Sequence, residues 1–355
     1  IFKKIFLISA LFFIYLASSL YSLQAKEAVF KLSTMASLVA YPIIFGFLES
    51  SHFMISKKQR ETIFKGFAFS TTIFCVISFI YFWKQEFNFN ETIIHYFNLI
   101  DIRLGIFSIH PIYLAIYIGI SILMIIYLIQ NSHYLFLKIT YVVLGLLLIV
   151  ILIMLMRKGP IIYLLIPFYL LLANYVKIKK TIIIVLVTLI AIIFSVKIIP
   201  KYQNENRFEE LTSNTINENP ESSISIRYRI YQCVFEKIIE HPFLGYGLGS
   251  VKNHLDLCYI DKNIDLSKKN YNSHNQFLSV VLTAGIIGLI IFLISIYKIY
   301  RLLLQRKSVL GIAILTFFLF NFLTENVIER EHGVIIYSFL LSFFLFQKEE
   351  SYKPL

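Results

Sequence analysis

Aspartate is scarce in this 355-residue chain: Asp101, Asp256, Asp261 and Asp265 are the whole complement, and no Asp-x-Asp pair exists. A carboxylate cage for a divalent cation is not legible, so no metal site is expected. Cysteine is scarcer still. Cys75, Cys233 and Cys258 are scattered, with no Cys-x-x-Cys, which removes a zinc site from consideration. Charge is thin overall, with 15% charged against 58% hydrophobic residues. Runs such as ITYVVLGLLLIVILIMLM reach the roughly 18 apolar residues that a bilayer-spanning helix requires. This is the composition of a polytopic membrane protein.

Apolar runs bounded by charge clusters give about ten spans. They fall near Ile5 to Leu23, Ala28 to Leu48, Ile63 to Trp83, Ile109 to Gln130, Leu135 to Met156, Ile161 to Val176, Thr181 to Ile199, Gln276 to Tyr297, Val309 to Leu323 and Gly333 to Phe346. The first run has no small-residue cleavage site followed by a soluble domain, so it reads as a span and not as a signal peptide. The chain begins at Ile1 without a methionine, and a fragment lacking upstream helices is expected. Three regions follow: spans over 1–199, a polar connection over 200–275, and spans with a cytoplasmic tail over 276–355. A connection that long is expected to be mainly helical.

Lys and Arg in the short loops set the orientation, because basic residues are retained on the cytoplasmic side. Lys3, Lys4, Lys57, Lys58, Arg60, Lys177, Lys179, Lys180, Lys298, Arg301, Arg306 and Lys307 all fall on one side when the N-terminus is inside. The long connection is then outside. The net charge of +12 is largely this orientation signal, and nucleic acid is not an expected partner. Cys233 and Cys258 share the oxidising side and could pair, which spacing alone does not decide.

Exceptions to the bias are informative. Arg157 and Lys158, in LMRKGPIIYLL, sit at a tight outward-facing Gly-Pro turn. Such a pair can end a helix at headgroup level by snorkelling, at little cost. The outer face carries more cations, however: Arg103, Arg227, Arg229, His274 and Arg330. Cations gathered on one side suggest an anionic ligand, and Arg suits phosphate oxygens best. Ile226, Ile230, Val234 and Ile238 recur every four residues between a candidate cap at Ser225 and a stop at His241-Pro242, so Ser225 to Glu240 reads as an amphipathic helix. Arg227 is then expected in its first turn. GYGLGS, with no strand before it, reads as a turn and not as a nucleotide loop. His110-Pro111 reads as a helix opening, and Glu325, Glu329 and Arg330 as a solvated, salt-bridged turn.

Taken together, RYRIY, HPFLGYGLG and SHNQFLSVVLTAGIIG resemble the O-antigen ligase and polymerase family of bacterial membrane glycosyltransferases. The residues carrying the resemblance are Arg227, Pro242 to Gly249, the His274-Asn275 pair and Gly285 to Gly288. It extends more weakly to RLGIFSIHPIYLA and to MRKGPIIYLL, where Arg157-Lys158-Gly159 stands in place of Ser-Arg-Gly. Tyr231 stands where a tryptophan is usual. Either cation of the pair can take the family arginine's role.

The resemblance implies an all-α bundle of transmembrane helices like a C-type glycosyltransferase, with about twelve spans in a full protein and a helical periplasmic subdomain. It implies a site on the periplasmic face of the bacterial inner membrane. The donor would be a glycan on undecaprenyl diphosphate and the acceptor a lipid A-core hydroxyl, or another lipid-linked glycan for a polymerase. His274 would be the base; imidazole, with an unperturbed pKa of roughly 6.5, is available for that at neutral pH. Arg227 with Arg157 would stabilise the leaving diphosphate. Lys158, Asn275, Arg229, Arg103 and Arg330 are candidate substrate contacts. Neither cofactor nor metal is expected, and the membrane lipid is the other partner. The rival from another class is a flippase for the same glycan. A transporter usually carries ionisable groups or broken helices near the bilayer midplane, and the expected span interiors are almost free of charge.

Overall fold

A computed structural model describes residues 1–53, 55–173, 223–262 and 271–347, and no strand occurs among them. The helices are α1 (Phe2–Ile8), α2 (Ala10–Ser19), α3 (Ala25–Thr34), α4 (Ser37–Ser50), α5 (Lys57–Glu86), α6 (Phe89–Leu99), α7 (Pro111–Asn131), α8 (Leu135–Met154), α9 (Lys158–Tyr163) and α10 (Leu165–Ala173). They continue with α11 (Ser223–Glu240), α12 (Val251–Asp261), α13 (Gln276–Gln305), α14 (Val309–Phe322) and α15 (Glu331–Phe346).

Among the described residues five stretches are long and apolar enough to cross a bilayer: Ala25–Ser50, Lys57–Glu86, Pro111–Asn131, Leu135–Met154 and Gln276–Gln305. The expected first span is broken. α1 and α2 meet at 61°, and the buried Ser9 hydroxyl at the bend donates to the Leu38 carbonyl at 2.8 Å. α14 and α15 answer to expected spans but are short, with 14 and 16 residues. At 1.5 Å per residue they reach about 21 to 24 Å, less than the roughly 30 Å hydrocarbon core. The expected span Thr181 to Ile199 lies outside the described residues. The chain is a multi-pass membrane protein of helical fold.

Two compact units divide it: Ile1–Met54 with Thr212–Gly311 and Phe318–Leu355, and Ile55–Leu211 with Ile312–Phe317. In the second unit, Ser56 opens α5 with a capping box shared with Gln59, and His110 caps α7 ahead of Pro111. α7 is enclosed along its length. α8 is bare on one face, exposing Leu135, Phe136, Ile139, Val143, Leu146 and Val150. An apolar stripe with helical spacing that faces no protein is a lipid-facing surface in a chain of this composition.

The first unit is tied at one end by Glu49, which takes both Lys4 and Arg306 (3.6 Å), while Arg306 also donates to the Gln347 carbonyl at 3.0 Å. At its other end α11 packs on α12. Ile230, Val234, Leu255 and Tyr259 form the core between them, and a Cys233–Cys258 disulfide crosses it. The four-residue apolar repeat thus faces α12. α11 starts at Ser223, two residues before the expected cap, so Arg227 is its fifth residue and stands in the second turn.

Candidate functional site

A backbone break in α13 organises the first unit around its polar end. Gly285 interrupts the helix at φ 66° and ψ −171°, a conformation open essentially to glycine alone. The break frees the carbonyls of Leu282 and Thr283, which accept from the Tyr246 and Gly247 amides at 2.8 and 3.0 Å. In return the Ile286 amide donates to the Pro242 carbonyl at 2.8 Å. The glycine turn HPFLGYGLG therefore docks on the opened helix, and the Leu282 and Thr283 carbonyls and the Ile286 amide find backbone partners there. Its other side meets the α2–α3 connection, where the Ser22 hydroxyl accepts from the Gly249 amide at 3.0 Å.

Three turns above this break the helix begins at Asn275. Its Oδ1 accepts from the Phe277 and Leu278 amides at 2.9 and 3.0 Å, and its Nδ2 donates to the Leu323 carbonyl at 3.0 Å. Asn275 thus caps the helix, with one N–H of its amide beyond the bond to Leu323. Asn326 steadies the same segment, its Oδ1 accepting from the Asn275 amide at 2.9 Å and the Ser273 hydroxyl at 3.2 Å.

His274 lies between these anchors in the left-handed region, at φ 44°. For a residue with a side chain this costs on the order of 1–3 kcal/mol. The surroundings hold it there: the His274 amide donates to Asn272 Oδ1 at 2.9 Å, and its carbonyl accepts from the Tyr231 hydroxyl at 3.4 Å. The ring is half-buried, with Nδ1 at 3.4 Å from Glu325 Oε2. That is ion-pair distance without hydrogen-bond alignment. The other oxygen of Glu325 accepts from Arg227 Nη2 at 3.3 Å. One carboxylate, 14% exposed, thus bridges the histidine and the arginine. Among the expected site residues, the structure brings His274, Arg227 and Asn275 together.

The expectation of a solvated turn at the end of α14 holds for Arg330, which is exposed. It fails for the carboxylates. Glu325 is shielded by its two partners, and Glu329 accepts from the Tyr15 hydroxyl (2.9 Å), Gln276 Nε2 (2.9 Å) and Asn326 Nδ2 (3.1 Å). Gln276 and Tyr15 are fully buried, and Gln276 Oε1 also accepts from the Ile328 amide at 2.9 Å. Sequence reasoning passed over Tyr15, Gln276 and Asn326. Gln276 alone carried a signal, an amide at the first position of an apolar run.

Arg229 is half-buried and follows Arg227 by two residues, hence about 200° around the helix, so the two face different ways. Arg103, Arg157 and Lys158 belong to the second unit. Arg103 Nη1 reaches Gln85 Oε1 at 3.5 Å and Glu86 Oε1 at 4.0 Å. Arg157 is the cap residue of α9, following Met156 at φ 48°, and Lys158 is its first residue; both are half-buried. Among the described residues no group of three or more His, Cys, Asp or Glu could hold a metal ion.

A helical multi-pass membrane protein with a His–Glu–Arg cluster beside a glycine-broken span is the class this geometry defines. Residues 143–293 match the family model described as O-antigen ligase. A Rickettsia conorii protein provisionally named a polysaccharide ligase is 42% identical over 86 residues, covering 21% of this chain and 19% of the relative. A Rickettsia felis protein with the same provisional name is 36% identical over 96 residues, covering 24% and 22%. The chain spans about a fifth of the length of these curated relatives.

Proposed function

We propose that this chain carries the reaction centre of an O-antigen ligase-type glycosyltransferase. It would move a glycan from undecaprenyl diphosphate to a lipid A-core hydroxyl on the periplasmic face of the inner membrane. The observation that carries the reading is Glu325 bridging His274 and Arg227. A carboxylate on the Nδ1 side favours the tautomer with the proton on Nδ1, leaving Nε2 as the basic atom. As the acceptor oxygen attacks the anomeric carbon, its proton passes to His274 Nε2 and the bond to the diphosphate oxygen breaks. Arg227, with five donors of which Glu325 engages one, offers the rest to the departing diphosphate. Arg157 or Lys158 is assigned to the same diphosphate on the sequence resemblance alone, and Arg229, Arg103 and Arg330 remain candidate glycan contacts. The transfer is metal-independent, its cations supplied by side chains.

Two features support the outer location: the Cys233–Cys258 disulfide, which forms and persists in oxidising compartments, and the concentration of Lys and Arg on the opposite side of the spans. A polymerase would use the same centre with a lipid-linked glycan as acceptor.

The test uses the full-length protein in liposomes with undecaprenyl-diphosphate glycan, lipid A core and a chelator. His274→Asn is the matched variant, because asparagine tolerates the left-handed backbone that alanine would strain. Transfer by the wild type alone supports the histidine base. Growth of the lipid-linked glycan instead would identify a polymerase, and neither product would return the flippase to first place. Activity lost in chelator and restored by one added metal would overturn metal independence.

A further inference from the structure

The glycine turn carries two large apolar residues at its tip, and both are bare: Phe243 is 68% and Leu244 58% exposed. The adjoining α2–α3 connection does the same with Leu20 at 86% and Leu23 at 87%. The two turns are fastened together, since the Tyr21 hydroxyl donates to the Leu244 carbonyl. No Lys, Arg, Asp, Glu or His lies in residues 242–251 or 5–25; His241, Lys26 and Glu27 stand just outside them. Turns favour Gly and Pro for their backbone conformations and Asn, Asp and Ser for local hydrogen bonds, so bare Leu and Phe at the tips are not required by the bends themselves. Here Gly247, Gly249 and Ser250 are buried together with Tyr246 and Leu248, whereas Phe243, Leu244, Leu20 and Leu23 are bare.

The backbone is prepared in the same sense. The Pro242, His241 and Leu244 carbonyls accept from the Ile286 amide, the Gly245 amide and Tyr21, and the Tyr246 and Gly247 amides donate to Leu282 and Thr283. A loop entering lipid must satisfy its backbone internally, and this one largely does. The surface also has a continuation. Immediately beyond Gly285, α13 exposes Ile286, Ile287, Ile290 and Ile291, the bare face of a helix long enough to span a bilayer.

We propose that the double turn, Leu20 to Leu23 with Phe243 and Leu244, is a membrane-dipping lip seated at the boundary between lipid headgroups and acyl chains. Its occupant is the bilayer. The lip lowers the glycine turn into the interface beside the Gly285 break, so the half-helix leading up to Asn275 and His274 is anchored from its lipid side. Rings and branched aliphatics have this preference at membrane interfaces, and the nearby Lys31, which donates to the Leu248 carbonyl at 3.3 Å, has the long apolar stem that suits a headgroup-level position. The inference rests on the membrane reading of the fold and is independent of which glycan is transferred.

The chain has a single tryptophan, Trp83, which makes the test direct. In a Trp83→Phe background, Phe243→Trp and Leu23→Trp are compared with Asn253→Trp on the exposed side of α12, all in liposomes. Lipids brominated high or low on the acyl chain and aqueous acrylamide serve as quenchers. Both lip variants should emit to the blue and be quenched several-fold more by shallow-brominated lipid than the Asn253→Trp control, with little effect of acrylamide. Red emission with strong acrylamide quenching and no bromine effect at both positions would overturn the lip. Use of two turns guards against one variant failing to fold, and neither readout depends on transferase activity.

Discussion

A Cβ built on Gly285 would lie 1.9 Å from the carbonyl oxygen of Phe243 and 2.0 Å from its carbonyl carbon. The glycine turn and the break in α13 are therefore one structure, closed by backbone on backbone with no side chain that could yield. Gly285→Ala meets two penalties at once, a conformation reserved for glycine and an overlap with the main chain. Each is on the order of 1–3 kcal/mol, so the variant is expected to misfold or to melt well below the wild type. Thermal denaturation in detergent, followed by size-exclusion profile, reads this. Gly288→Ala is the contrast: there the Ala284 side chain, at 2.5 Å, is the nearest obstacle, and the backbone is ordinary helix.

Glu325 predicts a graded result at the site. Glu325→Gln keeps the shape and removes the charge that orients the imidazole and holds Arg227. The loss expected for removing such an orienting partner is about 10–100-fold in turnover, against about 100–10,000-fold for removing the general base at His274. Arg227→Lys should also fall, since an ammonium cannot bridge a carboxylate and a phosphate as a planar fork does. Single-turnover rates with the variants side by side test the order. Equal rates for Glu325→Gln and the wild type would remove the carboxylate from the mechanism.

Much of this arrangement was legible in the amino-acid sequence, and the remainder was hidden for physical reasons. The α11 helix showed itself because Ile230 and Val234 must face one partner, and the spacing of buried residues survives as a pattern. The long spans did likewise. HPFLGYGLG was readable as a turn, but its docking on Gly285 was not, because backbone hydrogen bonds between segments some forty residues apart leave no periodic trace in side chains. Glu325 was visible as a carboxylate in an outer loop, where such residues are usually solvated. Its burial depends on α11 bringing Arg227 to it, a tertiary fact. The bend at Ser9 has no glycine or proline to announce it; a hydroxyl satisfied across the unit takes their place.

The disulfide makes a compartment-dependent prediction. Cys233 and Cys258 are 25 residues apart, a loop whose closure removes on the order of 3–4 kcal/mol of chain entropy from the unfolded state. A Cys233→Ala, Cys258→Ala double variant is expected to lose a comparable part of the stability of α11 and α12, and with it the hold on Arg227. Limited proteolysis across α12, with and without reductant, reads the effect. Full alkylation of both thiols in the untreated native protein would contradict it.

Acid should loosen the base of α11 through two groups whose signs agree. Glu240 is held below the usual carboxylate range by its hydrogen bonds from Lys237 (2.7 Å) and Tyr246 (2.6 Å). A depressed carboxylate contributes stability that is present above its unfolded pKa and is lost as pH falls through the folded one. His254, stacked on Tyr246 with centroids 4.0 Å apart, is pushed down by burial and then by Lys237 and His241. Its folded state resists protonation, so stability is lost as pH falls below the ordinary histidine value. Melting temperature should therefore decline in two steps below neutrality. Glu240→Gln should flatten the lower one and deepen the upper one, because the Glu240 charge opposes the depression of His254. At the alkaline end the sign reverses: burial and the Glu240 contact raise the Tyr246 phenol, so its contribution is lost as pH climbs past the ordinary tyrosine value.

Glu329 is a positioning residue, and its variants separate geometry from charge. Its carboxylate receives three donors, from Tyr15, Gln276 and Asn326, and two of these lie beside the His274 segment: Gln276 opens α13, and Asn326 holds the Asn275 amide. Glu329→Gln preserves volume but replaces one acceptor oxygen with an NH2 group that faces a donor. One hydrogen bond is then lost and a buried donor left unpaired, at a cost of about 1–3 kcal/mol. The bond given up most cheaply is the single one at Oε2, from Asn326, and because Asn326 also holds the Asn275 amide, His274 should no longer be held in its left-handed conformation. Turnover should then fall with little change in donor affinity, as expected when a base is misplaced while the diphosphate contacts persist. Tyr15→Phe removes one donor and leaves Glu329 its bonds from Gln276 and Asn326, so it should be the milder change in both stability and rate. Glu329→Gln with unaltered turnover would show that the His274 segment keeps its shape without this network.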